Sequence, residues 1–190
     1  MHALTVSAVI AAVSLATGCA GISGTSNTMG ASASPFSQSA LPGAIQVPAG
    51  HRVDMETVGA GSITYECRAK AQAGAGHEWF FVGPDAKLSA RGGQAMGRYF
   101  GPPATWEGKD GSRVTATQVA VAPNGTGNIP LQLVRANPAT GMGVMQGVSF
   151  IQRVNTRGGI APAMPCAAAN VTQKQVVQYQ ADYIFYKPAM

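Results

Sequence analysis

Two short stretches gather polar and aromatic side chains beside turn formers: residues 101–112 (GPPATWEGKDGS) and residues 152–159 (QRVNTRGG). In the first, Trp106 and Glu107 precede Asp110-Gly111, a hairpin signal because Gly adopts positive φ without strain. Asp110 therefore has a structural use as well as a chemical one. In the second, strand alternation puts Ser149, Ile151, Arg153 and Asn155 on one face and Val148, Phe150, Gln152 and Val154 on the other. The planar fork of Arg153 suits a carboxylate or a phosphate, so it would pair with a carboxylate such as Glu107 or Glu66, or hold an anionic ligand. These residues suggest a shallow pocket near Trp106, Glu107, Arg153 and Asn155, with Asp110 close by, for a small-molecule or polymeric ligand. A secreted hydrolase using carboxylates near Trp106/Glu107 and Arg153 is the alternative. No spacing among Glu66, Glu78, Glu107 and Asp110 selects a catalytic pair.

Familiar catalytic templates fail. A Ser-His-Asp machine needs a histidine, and the chain has His2, His51 and His77 without a G-x-S-x-G elbow. Residues 141–147 (GMGVMQG) are glycine-rich, but an apolar strand pattern over 148–154 follows them, not the helix whose N-terminus would hold a pyrophosphate. His77 stands alone before Glu78, Trp79 and Phe80, without the second histidine of a zinc motif. The reading is of a non-enzymatic binding or structural domain, with no cofactor and no metal expected.

The net charge of +5 comes from 13 Lys and Arg against 8 Asp and Glu, and the basic residues are spread along the whole chain. Dispersed charge of this kind is a solvated surface, so no nucleic-acid partner is expected.

The N-terminus supplies an address. An apolar run over residues 6–16 (VSAVIAAVSLA) is shorter than the ~20 residues of a membrane span but fits a secretory signal. Ala16-Thr17-Gly18-Cys19 resembles a bacterial lipobox, while small residues before Thr17 and before Gly21 also suit an ordinary signal peptidase. The expectation is a lipoprotein-type signal over 1–18, lipidation of Cys19 and an outer-membrane protein facing the periplasm, with a soluble periplasmic or secreted protein as the alternative. Ala20 follows the cysteine where an Asp would favour the inner membrane.

With Cys19 acylated or removed, Cys67 and Cys166 remain as an even pair in an oxidising compartment, where a disulfide is the expected state. It would close a loop worth ~4.7 kcal/mol in the chain-entropy model, and a metal site is the other use of the two thiols.

Residues 19–42 are Ser-, Gly- and Ala-rich with almost no charge, the composition of a flexible tether. Residues 43–190 then read as one β-rich domain. With 24 Gly, 12 Pro and 11% charged residues the chain is turn-rich. Strand patterns fall at 44–48, 52–58, 62–69, 78–82, 113–121, 129–135, 144–154 and 175–186, and 84–90 (PDAKLSA) suggests one short helical turn. In the last strand Val177, Tyr179, Ala181, Tyr183 and Phe185 share a face opposite Gln178, Gln180 and Asp182, until Ile184 and Tyr186 break the alternation. The expected class is all-β: an antiparallel β-sandwich or barrel-like single domain with long loops.

The same blocks carry a family resemblance. Residues 47–51 (VPAGH), 63–68 (ITYECR), Trp79 to Pro84, Gly101-Pro102 with Thr105-Trp106-Glu107, Asp110-Gly111-Ser112, residues 129–131 (IPL), 151–156 (IQRVNT), Cys166 and Tyr179 to Tyr186 appear in an order similar to that of the domain of unknown function 3455 family. The resemblance implies a secreted, single-domain β-rich fold and no established activity. Where the family pattern has Gly-x-His ahead of the Trp-Glu block, this chain has Gly97-Arg98-Tyr99. A mechanism using that histidine is lost here, whereas a binding role for an aromatic hydroxyl at Tyr99 survives.

Overall fold

The computed structural model describes residues 36–189. The expected signal over 1–18, the expected lipidation site Cys19 and most of the expected tether lie outside these residues. Eight antiparallel strands form one ring: β1 (His51–Ala69), β2 (His77–Ser89), β3 (Ala95–Phe100), β4 (Thr105–Gly108), β5 (Arg113–Ala122), β6 (Leu131–Ala136), β7 (Phe150–Gly158) and β8 (Lys174–Pro188). Each strand pairs with its neighbours in sequence, and β8 returns to β1 and closes the sheet, so no edge is left open. The ring is uneven. β1 and β8 run together from His51↔Pro188 to Glu66↔Lys174, whereas β4 meets β5 over Thr105 to Glu107 only.

Patterns at 52–58 and 62–69 merge into β1 because the glycines between them make room and do not break the strand. Tyr183, fully buried, lies over Gly59, and a Cβ there would sit 2.5 Å from Tyr183 Cε2. Gly59→Ala should lower stability by about 1–3 kcal/mol through overpacking, read as a lower urea midpoint with an unchanged slope.

Other expectations need correction. Residues 84–89 form the second half of β2, so the 84–90 stretch is not a helical turn: Ala86 and Leu88 are buried while Asp85 and Lys87 are exposed, the period of a strand paired on both sides. The 44–48 pattern is a 3-10 turn at Gly43–Ile45. Residues 144–148 belong to a turn-rich connection with positive φ at Gly141, Gly143 and Gly147. β3 and β4 have no counterpart among the expected strands.

Two apolar compartments result. Ile63, Leu88, Trp106, Ile151, Tyr183 and Phe185 fill the inside of the ring. Leu131, Leu133, Phe150, Val154, Ile184 and Tyr186 point outward and are covered by Ile45, Val47, Phe36 and Leu41. This cover explains why Ile184 and Tyr186 interrupt the polar side of β8. Residues 36–42, assigned to the tether by composition, run over this outer face. Gln38 accepts from Val47 N–H at 2.7 Å and donates to Val47 O at 2.9 Å. The fully buried Gln152 donates to Ile45 O and Gln38 Oε1 and accepts from the Tyr186 hydroxyl. Every polar group of that buried amide is in use, as burial requires.

The Cys67–Cys166 disulfide is present, with Cα atoms 5.4 Å apart. It fastens the connection between β7 and β8 to β1. Trp79 Nε1 adds a bond to Met164 O from β2, and Thr172 N–H donates to Cys67 O.

Candidate functional site

Tyr99 and Trp106 face inward from paired positions on β3 and β4, their rings stacked at 4.6 Å, with Tyr183 5.0 and 5.8 Å away. The half-buried Arg153 is on the same inner side of β7, where its charge acts on Tyr65, Tyr99, Tyr179 and Tyr183. Its Nε and Nη2 both donate to Pro130 O, so it pairs with neither Glu107 nor Glu66. Tyr99, Trp106 and Arg153 thus lie on one side, Tyr99 and Trp106 as packed core, with Trp106 only 2% exposed, and Arg153 half-buried.

The other three are elsewhere. Glu107 projects from the opposite face of β4 and accepts from the Arg113 side chain across the strand pair. Asp110 sits in the β4–β5 turn, where Oδ1 accepts from the Ser112 hydroxyl and N–H and Oδ2 from Val144 N–H. The Ser112 hydroxyl, followed by the two backbone N–H groups, holds its carboxyl below the usual range. This is a turn lock joining residues 110–112 to the glycine-rich connection. Asn155 leaves the face of Arg153 because the β7–β8 register shifts between Val154 and Arg157. At φ 49° it occupies the left-handed region that Asn tolerates. Its Nδ2 donates to Asp182 Oδ2 at 2.8 Å. The expected pocket of Trp106, Glu107, Arg153 and Asn155 is therefore not assembled.

Around Asp182 there is instead an outer polar cleft of about 400 Å3 lined by Arg91, Asn155, Arg157 and Gln180. Asp182 is 4% exposed, and its Oδ2 also accepts from Arg91 Nη2 at 3.1 Å. Arg91 reaches Glu56 as well, and Glu56 Oε1 accepts from Phe36 N–H. This chain of bonds ties the β2–β3 turn and the N-terminal segment to β8. It gives Asn155 and Asp182 a structural use.

A second cleft, of about 590 Å3, lies where β1 begins, β6 ends and β7 begins. Arg135 and Phe150 are directly opposite in the β6–β7 pairing, which places the guanidinium 5.4 Å from the ring centroid. His51 meets the same ring edge-on at 4.9 Å. Its Nδ1 is 3.0 Å from Pro48 O; a carbonyl only accepts, so Nδ1 carries a proton and Nε2 is the acceptor of the neutral ring. Among the described residues no carboxylate lines this cleft. Ser149, also in the wall, donates its hydroxyl to Tyr186 O at 3.1 Å and is not paired with His51 as an activated nucleophile would be. Among the described residues no three His, Cys, Asp or Glu side chains converge as metal ligands.

The model of the family described as "Protein of unknown function (DUF3455)" matches residues 48–187. The chain belongs to this family. Within the DUF3455 domain fall both clefts, from Pro48 and His51 to Asp182, and both bridged cysteines, whereas residues 36–47, which cover the outer apolar face, precede the matched region. No curated protein and no solved structure matches the chain.

Sequence reasoning about the DUF3455 domain missed the His51–Arg135–Phe150 cleft. Its residues are far apart in the chain and bland singly. The one available signal was His51 within Val47-Pro48-Ala49-Gly50-His51.

Proposed function

We propose that the protein is exported, anchored by a lipid on Cys19 in the outer membrane facing the periplasm, and that its barrel binds a ligand without transforming it, in the cleft of His51, Arg135 and Phe150. The observation that carries the reading is the chemistry of that cleft: a guanidinium, an imidazole and an aromatic floor, with no carboxylate and with its serine hydroxyl turned to a backbone carbonyl. Its volume of about 590 Å3 suits a small ligand. The disulfide supports export, because such bonds persist in oxidising compartments, and it leaves Cys19 as the cysteine free for a lipid.

A thermal-shift screen of envelope sugars, peptides and small organic acids tests the binding role. A ligand at 100 times its Kd stabilises the native state by about 2.7 kcal/mol, so a hit should raise Tm by several degrees in a saturable way. Recovery of the hit unchanged is expected. Its conversion to a product contradicts the non-catalytic reading, and a screen without any saturable hit contradicts binding.

A further inference from the structure

Arg52, Arg68, Arg91, Arg98 and Arg113 each meet a carboxylate. Arg135 makes no ion pair among the described residues and is exposed, and its neighbour within reach is the face of Phe150. A guanidinium has five donors and no acceptor, so a ring face leaves most of its hydrogen-bonding capacity unused. The rest of the cleft wall is apolar at Pro48, Ala136, Ala139 and Phe150 and polar at Asn137 and Ser149, and among the described residues it holds no acidic group that would compete with an anion or favour a cation.

From this geometry we infer that the cleft selects small organic anions: a carboxylate taken by Arg135, with an apolar, preferably flat, body laid against Phe150 and the adjoining alanine and proline surface. The carboxylate matches the planar fork of Arg135 in two parallel hydrogen bonds. The apolar body removes surface from water on both partners, which an inorganic anion would not do. His51 offers an acceptor or, once protonated, a donor at Nε2, so Arg135 and not His51 sets the sign of the charge that is preferred. The inference rests on the reading of this cleft as the binding site.

Three probes of nearly one shape separate charge from shape: benzoate, benzamidine and benzyl alcohol, titrated into the mature chain and followed by NMR at His51 and Phe150. Benzoate should shift both residues saturably in the millimolar range, and the other two should be at least about tenfold weaker, since neither offers the Arg135 guanidinium a charged acceptor. Arg135→Gln should weaken benzoate by about the same factor, whereas Arg135→Lys, which keeps the charge, should lose less. Arg135 is an exposed position, so both variants should keep the wild-type Tm, which is measured alongside. Equal binding of benzamidine or benzyl alcohol, or benzoate binding indifferent to Arg135→Gln, overturns the anion preference and leaves the cleft as a binding site. Absence of saturable shifts with all three overturns the inference, and a screen hit mapping to other residues would then relocate the binding site.

Discussion

Above pH 10 the protein should keep its phenols un-ionised until it unfolds, and then release them together. The chain has five tyrosines, and the fold raises the pKa of every one. Burial is the main cause at each, pushing Tyr186 up to about 12, and it outweighs the opposing pull of the Arg153 charge on Tyr65, Tyr99, Tyr179 and Tyr183. An unfolded tyrosine titrates near ~10. Because the folded values lie higher, the native state binds more protons than the unfolded state in this window. The stability contributed by neutral phenols is fully present below pH ~10 and is lost as pH climbs toward the folded values. Each tyrosine held neutral removes about 1.4 kcal/mol per pH unit in that interval, a large step against the ~5–15 kcal/mol of an ordinary domain. Phenolate absorbance and far-ultraviolet circular dichroism should therefore change in one coincident step. Phenolate appearing near pH 10 while the dichroism stays native would contradict the buried placement of these rings.

Removing the disulfide should have the other large effect. Cys67 and Cys166 are 99 residues apart in sequence, and their bridge restricts the unfolded chain over most of the domain. Replacing both by Ala should lower stability by about 2–5 kcal/mol in a denaturant titration, and replacing both by Ser by a similar amount, since Cys67 is fully buried but Asn170 Oδ1 lies 3.4 Å from its sulfur, where a hydroxyl finds an acceptor. In the native state the connection carrying Cys166 should loosen first, because Trp79 to Met164 and the Thr172 and Gln173 backbone bonds are its remaining ties. Wild-type protein whose midpoint is unmoved by reductant would contradict this.

The fold class was legible in the sequence because strand burial repeats every two residues. Tyr179, Ala181, Tyr183 and Phe185 declare the inner face of β8, and Ile184 and Tyr186 already mark an outer face that something must cover. The covering segment was not legible: residues 36–42 have a linker's composition, and their placement depends on Gln38 meeting Gln152, 114 residues away. Glycines misled in both directions. Gly59 is mid-strand because Tyr183 needs the space, while Gly141, Gly143 and Gly147 end a pattern that reads as strand. The polar blocks stand out in the sequence, but a register shift at Asn155 turns it from Arg153 to Asp182, and alternation alone does not reveal such a shift. The His51–Arg135–Phe150 cleft depends on which arginines find carboxylates, a property of pairing across strands and not of any local motif.

The intact, unreduced mass of the protein extracted from the membrane fraction of its own source tests most directly whether it is a lipid-anchored, exported binding barrel. The account predicts a mature chain beginning at Cys19, carrying lipid mass on that residue and two hydrogens lighter than the sum of its residues, the mark of the Cys67–Cys166 bridge. A lipid-free chain beginning at Thr17 or Gly21 would end the anchor while leaving export in place, and a chain that still begins at Met1 with free thiols at Cys67 and Cys166 would contradict the account outright.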